Sequence, residues 1–121
     1  MITEDYCSFE VAKLLKEKGF DGECSKFYMP TGNGRWKYAH YHDFDISDRI
    51  DCPTLQMAMK WLREIRNIVI SIFPTIETDM IVREDYSYAI YKNKTVVYQG
   101  CSISHEEAAE AALKYSLENL I

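Results

Sequence analysis

The stretch from Ser104 to Ile121, SHEEAAEAALKYSLENLI, constrains the fold more than any other part of the chain. Ser104 can accept from the first free backbone amides of a helix, while Glu107 reaches back to the Ser104 amide in a reciprocal capping box. A helix therefore starts at about His105. Ala109, Ala112, Leu113, Ser116, Leu117 and Leu120 then recur at spacings of three and four, so they form one stripe that must be buried. Glu106, Glu110, Lys114 and Glu118 take the wet side, with Glu110 placed four residues before Lys114 to pair with it. Such a pair contributes only about 0.3–0.5 kcal/mol, so burial has to hold the helix in place. The alanines of its first half allow close approach to a sheet, whereas Tyr115 and the leucines fill a wider gap further along.

A chain of 121 residues that is 47% hydrophobic can bury one cooperative core, and the expectation is a single domain over 1–121. The net charge is −5, with seven bases against ten acids up to Pro53 and seven against nine from Thr54 onward. Neither half has the basic excess that a polyanion binder needs, which argues against nucleic acid as a partner. No run of about twenty apolar residues is present, and MITEDYCSFE is acidic where a signal peptide would be basic and then apolar. A cytoplasmic protein with no membrane partner is expected. Cys7, Cys24, Cys52 and Cys101 form no C-x-x-C pair, so they read as buried free thiols rather than zinc ligands or disulfides.

In chain order, Ser8 caps a first helix from about Phe9 to Lys18, with Phe9, Val11, Leu14 and Leu15 as its stripe and Gly19 as its stop. CSKFYMP and RWKYAHYHDF flank the glycine-punctuated TGNG and predict an aromatic hairpin. DFDISDRIDCP reads as a loop. Thr54 opens a second helix with Leu55, Ala58, Trp61, Leu62 and Ile65 inward and Gln56, Lys60, Arg63 and Asn67 outward. IVISIFP, a weaker MIV segment, YSYAIYK and TVVYQ follow as three or four strands, the last two joined at Asn93. The fold class is α+β: an antiparallel meander with helices packed on one face. Residues 1–53 supply a helix and the hairpin, and residues 54–121 form an α-β-β-β-α unit.

TLQMAMKWLREI (Thr54 to Ile65), SHEEAAEAALKYSLENLI and SFEVAKLLKEKGF (Ser8 to Phe20) resemble a family of small proteins found in gut bacteria of the Bacteroides group and in their phages and mobile elements. The resemblance covers the three helices and implies provenance, since the family carries no assigned activity and no site residue to transfer. The order from Thr54 to the end is also similar in topology to a double-stranded RNA-binding domain. In that family lysines at the start of the last helix meet phosphates. Here those positions are His105, Glu106, Glu107, Ala108 and Ala109, and only Lys92 and Lys94 in the hairpin are basic, so the topology is expected without the activity.

Several residues are candidates for chemistry. His40 and His42 lie two apart on a predicted strand and so face one way, with Asp43, Asp45 and Asp48 behind them, a spacing that could hold zinc or iron. No third convergent ligand is fixed by the spacing, and no cofactor is expected. Trp36, Tyr38, His40 and His42 share that strand face, flanked by Arg35 and Lys37, and could stack on a ligand or form a partner interface. Lys60, Arg63 and Arg66 make a short basic strip that reads as a solvated face. Cys101 and His105 are the nearest nucleophile and base, at a strand-to-helix junction, but nothing supplies an oxyanion hole. The functional expectation is a non-catalytic accessory or adaptor protein acting through an unknown protein partner or as a homodimer. Its candidate binding residues are Arg35, Trp36, Tyr38, His40 and His42. The alternatives are a nucleic-acid-binding module and a metal-dependent enzyme using His40 and His42.

Overall fold

A computed structural model of the chain describes residues 4–22, 24, 26–30, 36–40, 49–78 and 81–121. The elements run α1 (Phe9–Glu17), β1 (Lys26–Pro30), β2 (Trp36–His40), β3 (Ile50–Asp51), α2 (Leu55–Ile65), β4 (Ile68–Thr78), β5 (Ile81–Lys92), β6 (Thr95–Ser102) and α3 (His105–Asn119). The class is α+β, as expected. The strands form two antiparallel three-stranded sheets, ordered β2-β1-β3 and β4-β5-β6. The expected loop DFDISDRIDCP therefore contributes a strand: Ile50 and Asp51 pair with Tyr28 and Phe27, and burying Ile50 is the reason they do so. The MIV segment is no separate strand, because Ile81 and Val82 belong to β5.

Each helix begins at a hydroxyl that accepts a backbone amide: Ser8 from Val11, Thr54 from Met57 and Ser104 from Glu107. Left-handed residues follow two of them, Gly19 after α1 (φ 89°) and Asn67 after α2 (φ 58°). The hairpin between β5 and β6 turns on Asn93 and Lys94, both at positive φ, which matches the right-handed twist of the strands it joins. The segment before α1 is pinned to the start of α2, since Leu55 donates to the Asp5 carbonyl and Cys7 to that of Pro53.

One core joins the helices to the second sheet. Leu15, Leu62, Ile68, Ile90, Leu113 and Leu117 are fully buried in it, and Ala108, Ala109 and Ala112 bring α3 close to the strands. Further along α3, Tyr115 stacks on Tyr98 of β6 with ring centroids 3.7 Å apart, so the wider part of the gap is filled as the helix pattern predicts. Trp61 anchors α2 edge-on to Phe20. Two details differ from the expected helix faces. Ile65, the last residue of α2, is 60% exposed, and Met59 is buried instead. Glu110 does not pair with Lys114: it binds Ser8 of α1, and Lys114 bonds Glu10 at 2.7 Å and reaches Glu118 at 3.9 Å.

Candidate interaction surface

The residues singled out for binding fall into two groups. Trp36, Tyr38 and His40 occupy alternate positions of β2, an edge strand of the first sheet, with Tyr38 opposite Tyr28 and Trp36 opposite Pro30. Arg35, His42, Asp43, Asp45 and Asp48 lie outside the described residues. Among the described residues, no three histidine, cysteine or acidic side chains converge in a way that could hold a metal ion.

Cys101 and His105 do not form a nucleophile–base pair. Cys101 lies opposite Ser87 in the register of β5 and β6, whereas the His105 ring packs edge-on to Tyr86 at 5.6 Å. Ser87 and Tyr86 are consecutive in a strand and point to opposite faces, so the sheet separates the thiol from the imidazole. All four cysteines are free thiols, but Cys101 is exposed and Cys24 is only half-buried, which corrects the expectation of four buried ones. Burial pushes the Cys24 thiol up to about 12 and the Cys52 thiol up to about 11, and raises that of Cys7 too, so these three stay protonated at neutral pH.

The basic candidates are partly engaged. Arg66 donates to the Lys18 carbonyl at 2.7 Å and lies over the Trp61 ring, tying the ends of α1 and α2 together; Lys60 and Arg63 are exposed. Lys92 donates to the Leu120 carbonyl at 2.9 Å and so closes the end of α3. Glu106 and Glu107 are exposed at the other end of α3, and hydrogen bonding from its own backbone amide holds the Glu106 carboxyl below its usual range. That end of the helix presents carboxylates where a phosphate binder needs bases.

A cleft of about 200 Å³ lies between the starts of α2 and α3, lined by Glu4, Asp5, Leu55, Gln56, Met59 and His105 among others. It is smaller than the roughly 300–1,000 Å³ typical of small-molecule sites. The larger feature is the second sheet itself. Ile68, Ile70 and Ile72 of β4 and Tyr86, Tyr88 and Ile90 of β5 face the helices. The residues between them face the other way, and among the described residues no helix of the core lies over that side.

Three cross-strand rows make up this open face: Val69, Tyr91 and Val96; Ser71, Ala89 and Gln99; Phe73, Ser87 and Cys101. Thr75 lies beyond them and its hydroxyl is 2.6 Å from that of Ser87. A bulge opposite Ile90 and Tyr91 adds Val97, which alternates with the helix-facing Tyr98 and so joins the same side. Val69, Phe73, Val96 and Val97 are each about 38–44% exposed. None of these residues is acidic or basic. The signal for this surface was present in the sequence, since Asn67 to Ile76 and Thr95 to Ser104 contain no charged residue.

Fold and surface together define a small α+β domain with helices on one face of its main sheet and an opposite face that is partly apolar and, over three cross-strand rows, uncharged. No family model, curated protein or solved structure matches the chain. Among the described residues, no helix is long and apolar enough to cross a membrane.

Proposed function

We propose that the protein is a non-catalytic cytoplasmic accessory protein that works by protein–protein contact, with self-association as its primary contact. The observation that supports this is the open face of β4-β5-β6, uncharged over its three central rows. An antiparallel sheet with one solvated face normally alternates apolar residues inward with polar or charged residues outward. Here the outward positions include Val69, Phe73, Ala89, Tyr91, Val96 and Val97 among Ser71, Ser87 and Gln99. Depletion of charge together with enrichment in aromatic and aliphatic side chains is the composition of an interface centre. A contiguous apolar patch rimmed by polar residues is how such surfaces show themselves on a single chain.

Sedimentation velocity on the intact chain, from about 10 µM to about 500 µM to span weak association, tests this. The expected result is a sedimentation coefficient that rises with concentration toward that of a dimer. A monomer over the whole range would sink the proposal.

A further inference from the structure

We infer that Cys24, Cys52 and Met57 form a binding site for a soft monovalent metal ion, copper(I), with two thiolates and a thioether as its ligands. The site lies apart from the open sheet face and is independent of self-association.

Three elements bring these side chains to one place. Cys52 directly follows β3, where its amide donates to the Lys26 carbonyl at 2.9 Å, and Cys24 lies two residues before that same Lys26, at the entrance to β1. Met57 stands in the first turn of α2, its amide held by the Thr54 hydroxyl at 3.1 Å. All three line a single pocket of about 90 Å³. That space admits an ion and is far below the roughly 300 Å³ at which small-molecule sites begin. Met57 is 42% exposed and Cys24 half-buried, so the pocket can be entered from solvent, whereas Cys52 is fully buried and supplies the inner ligand.

The donors choose the ion. Thiolate and thioether sulfur are soft ligands that select copper(I), while carboxylate and carbonyl oxygen suit magnesium and calcium. A structural zinc ion takes four ligands from cysteine, histidine and carboxylate. Among the described residues no three side chains of those types converge. Copper(I) is satisfied by two or three sulfurs, and the third sulfur here is a methionine. Cys7, the other buried thiol, is directed instead at the Thr54 carbonyl at 3.9 Å, and its own carbonyl accepts from Cys52 Sγ at 3.2 Å, which positions Cys52.

Charge is provided for. Two thiolates around a monovalent ion leave one negative charge, and Lys26 beside Cys52 and Arg49 beside Cys24 favour the thiolate form, against Glu110 and Asp51. The Tyr28 hydroxyl also bonds the Cys52 sulfur in the favourable sense. Metal binding at such thiols displaces their protons.

Anaerobic titration of the reduced intact chain with copper(I), in competition with a chromophoric copper(I) chelator, tests the site. Cys101→Ser removes the exposed thiol and serves as the background. That variant should still take up about one ion per chain and develop near-ultraviolet copper–thiolate absorption. Adding Cys24→Ser or Met57→Leu should weaken binding about tenfold or more at unchanged circular dichroism. If Cys24→Ser disturbs the fold, Met57→Leu, at an exposed position, decides alone. Uptake that disappears with Cys101→Ser, an affinity indifferent to both Cys24→Ser and Met57→Leu, or a chain that wins no copper from the chelator would each overturn the assignment.

Discussion

The amide and the hydroxyl of Ser8 both donate to the carboxylate of Glu110, each at 2.7 Å, across 102 residues of chain. Ser8 also caps α1 by accepting from Val11 at 3.3 Å, so one residue starts the first helix and docks it to the last. Glu10 and Lys114 repeat the link at 2.7 Å two residues into α1. Replacing Ser8 with Ala should cost about 1–2 kcal/mol, because a cap and a carboxylate partner are lost together. Glu110→Gln should cost less, since the amide oxygen still accepts one bond. Urea unfolding of both variants checks the order; equal losses would contradict it.

Gly100 lies opposite Tyr88 in the register of β5 and β6, and a β-carbon there would collide with the Tyr88 ring. Tyr88 is 7% exposed and held between the sheet and the core, so it has little room to yield. Gly100→Ala should destabilise by about 1–3 kcal/mol, the usual cost of overpacking. A double-mutant cycle with Tyr88→Ala should recover most of that loss, and additive effects would show that the collision is not the cause.

Lys94 adopts φ 64° at the second position of the β5–β6 turn, a conformation that costs a residue with a β-carbon about 1 kcal/mol. Lys94→Gly removes that cost at a solvent-exposed site. The variant should be more stable by about 0.5–1 kcal/mol, read as a higher melting temperature. No gain, or a loss, would count against the turn geometry.

Alkaline pH should weaken the fold through the buried thiols. Burial raises Cys52 from 9.0 to about 11 and Cys24 to about 12, so the folded chain keeps protons that the unfolded chain releases. The sign follows: their contribution is fully present below pH 9.0 and is lost as pH climbs toward the folded values. The urea midpoint should fall between pH 9 and about pH 11, and the fall should be shallower in Cys52→Ser. Serine keeps a donor for the Cys7 carbonyl, which Cys52 now meets at 3.2 Å, and does not ionise in this range. Identical pH profiles for the two proteins would contradict the assignment.

Local chemistry made the helices legible in advance. The hydroxyls of Ser8, Thr54 and Ser104 cap the three helices, and spacings of three and four mark most of the buried positions of α3. The aromatic hairpin was legible too, with Trp36, Tyr38 and His40 at alternate positions of β2. The surface that supports the functional proposal was harder to see. In IVISIFPT and YSYAIY both alternating sets are uncharged, so period-two alternation separates two faces without saying which one is covered.

By itself the sequence determined where helices start, where a turn joins the last two strands, and that several strands follow the second helix in an α+β fold. Those outcomes depend on neighbours within a few residues, for which capping and periodicity are sufficient. Tertiary structure decided the pairings. Glu110 binds Ser8 rather than Lys114, Ile50 and Asp51 become a strand, Ile65 is exposed while Met59 is buried, and among the described residues the helices lie on the Ile68–Ile72 side of the sheet. Each of these depends on packing between residues far apart in the chain, and a hydrogen bond across 102 residues has no counterpart in local spacing.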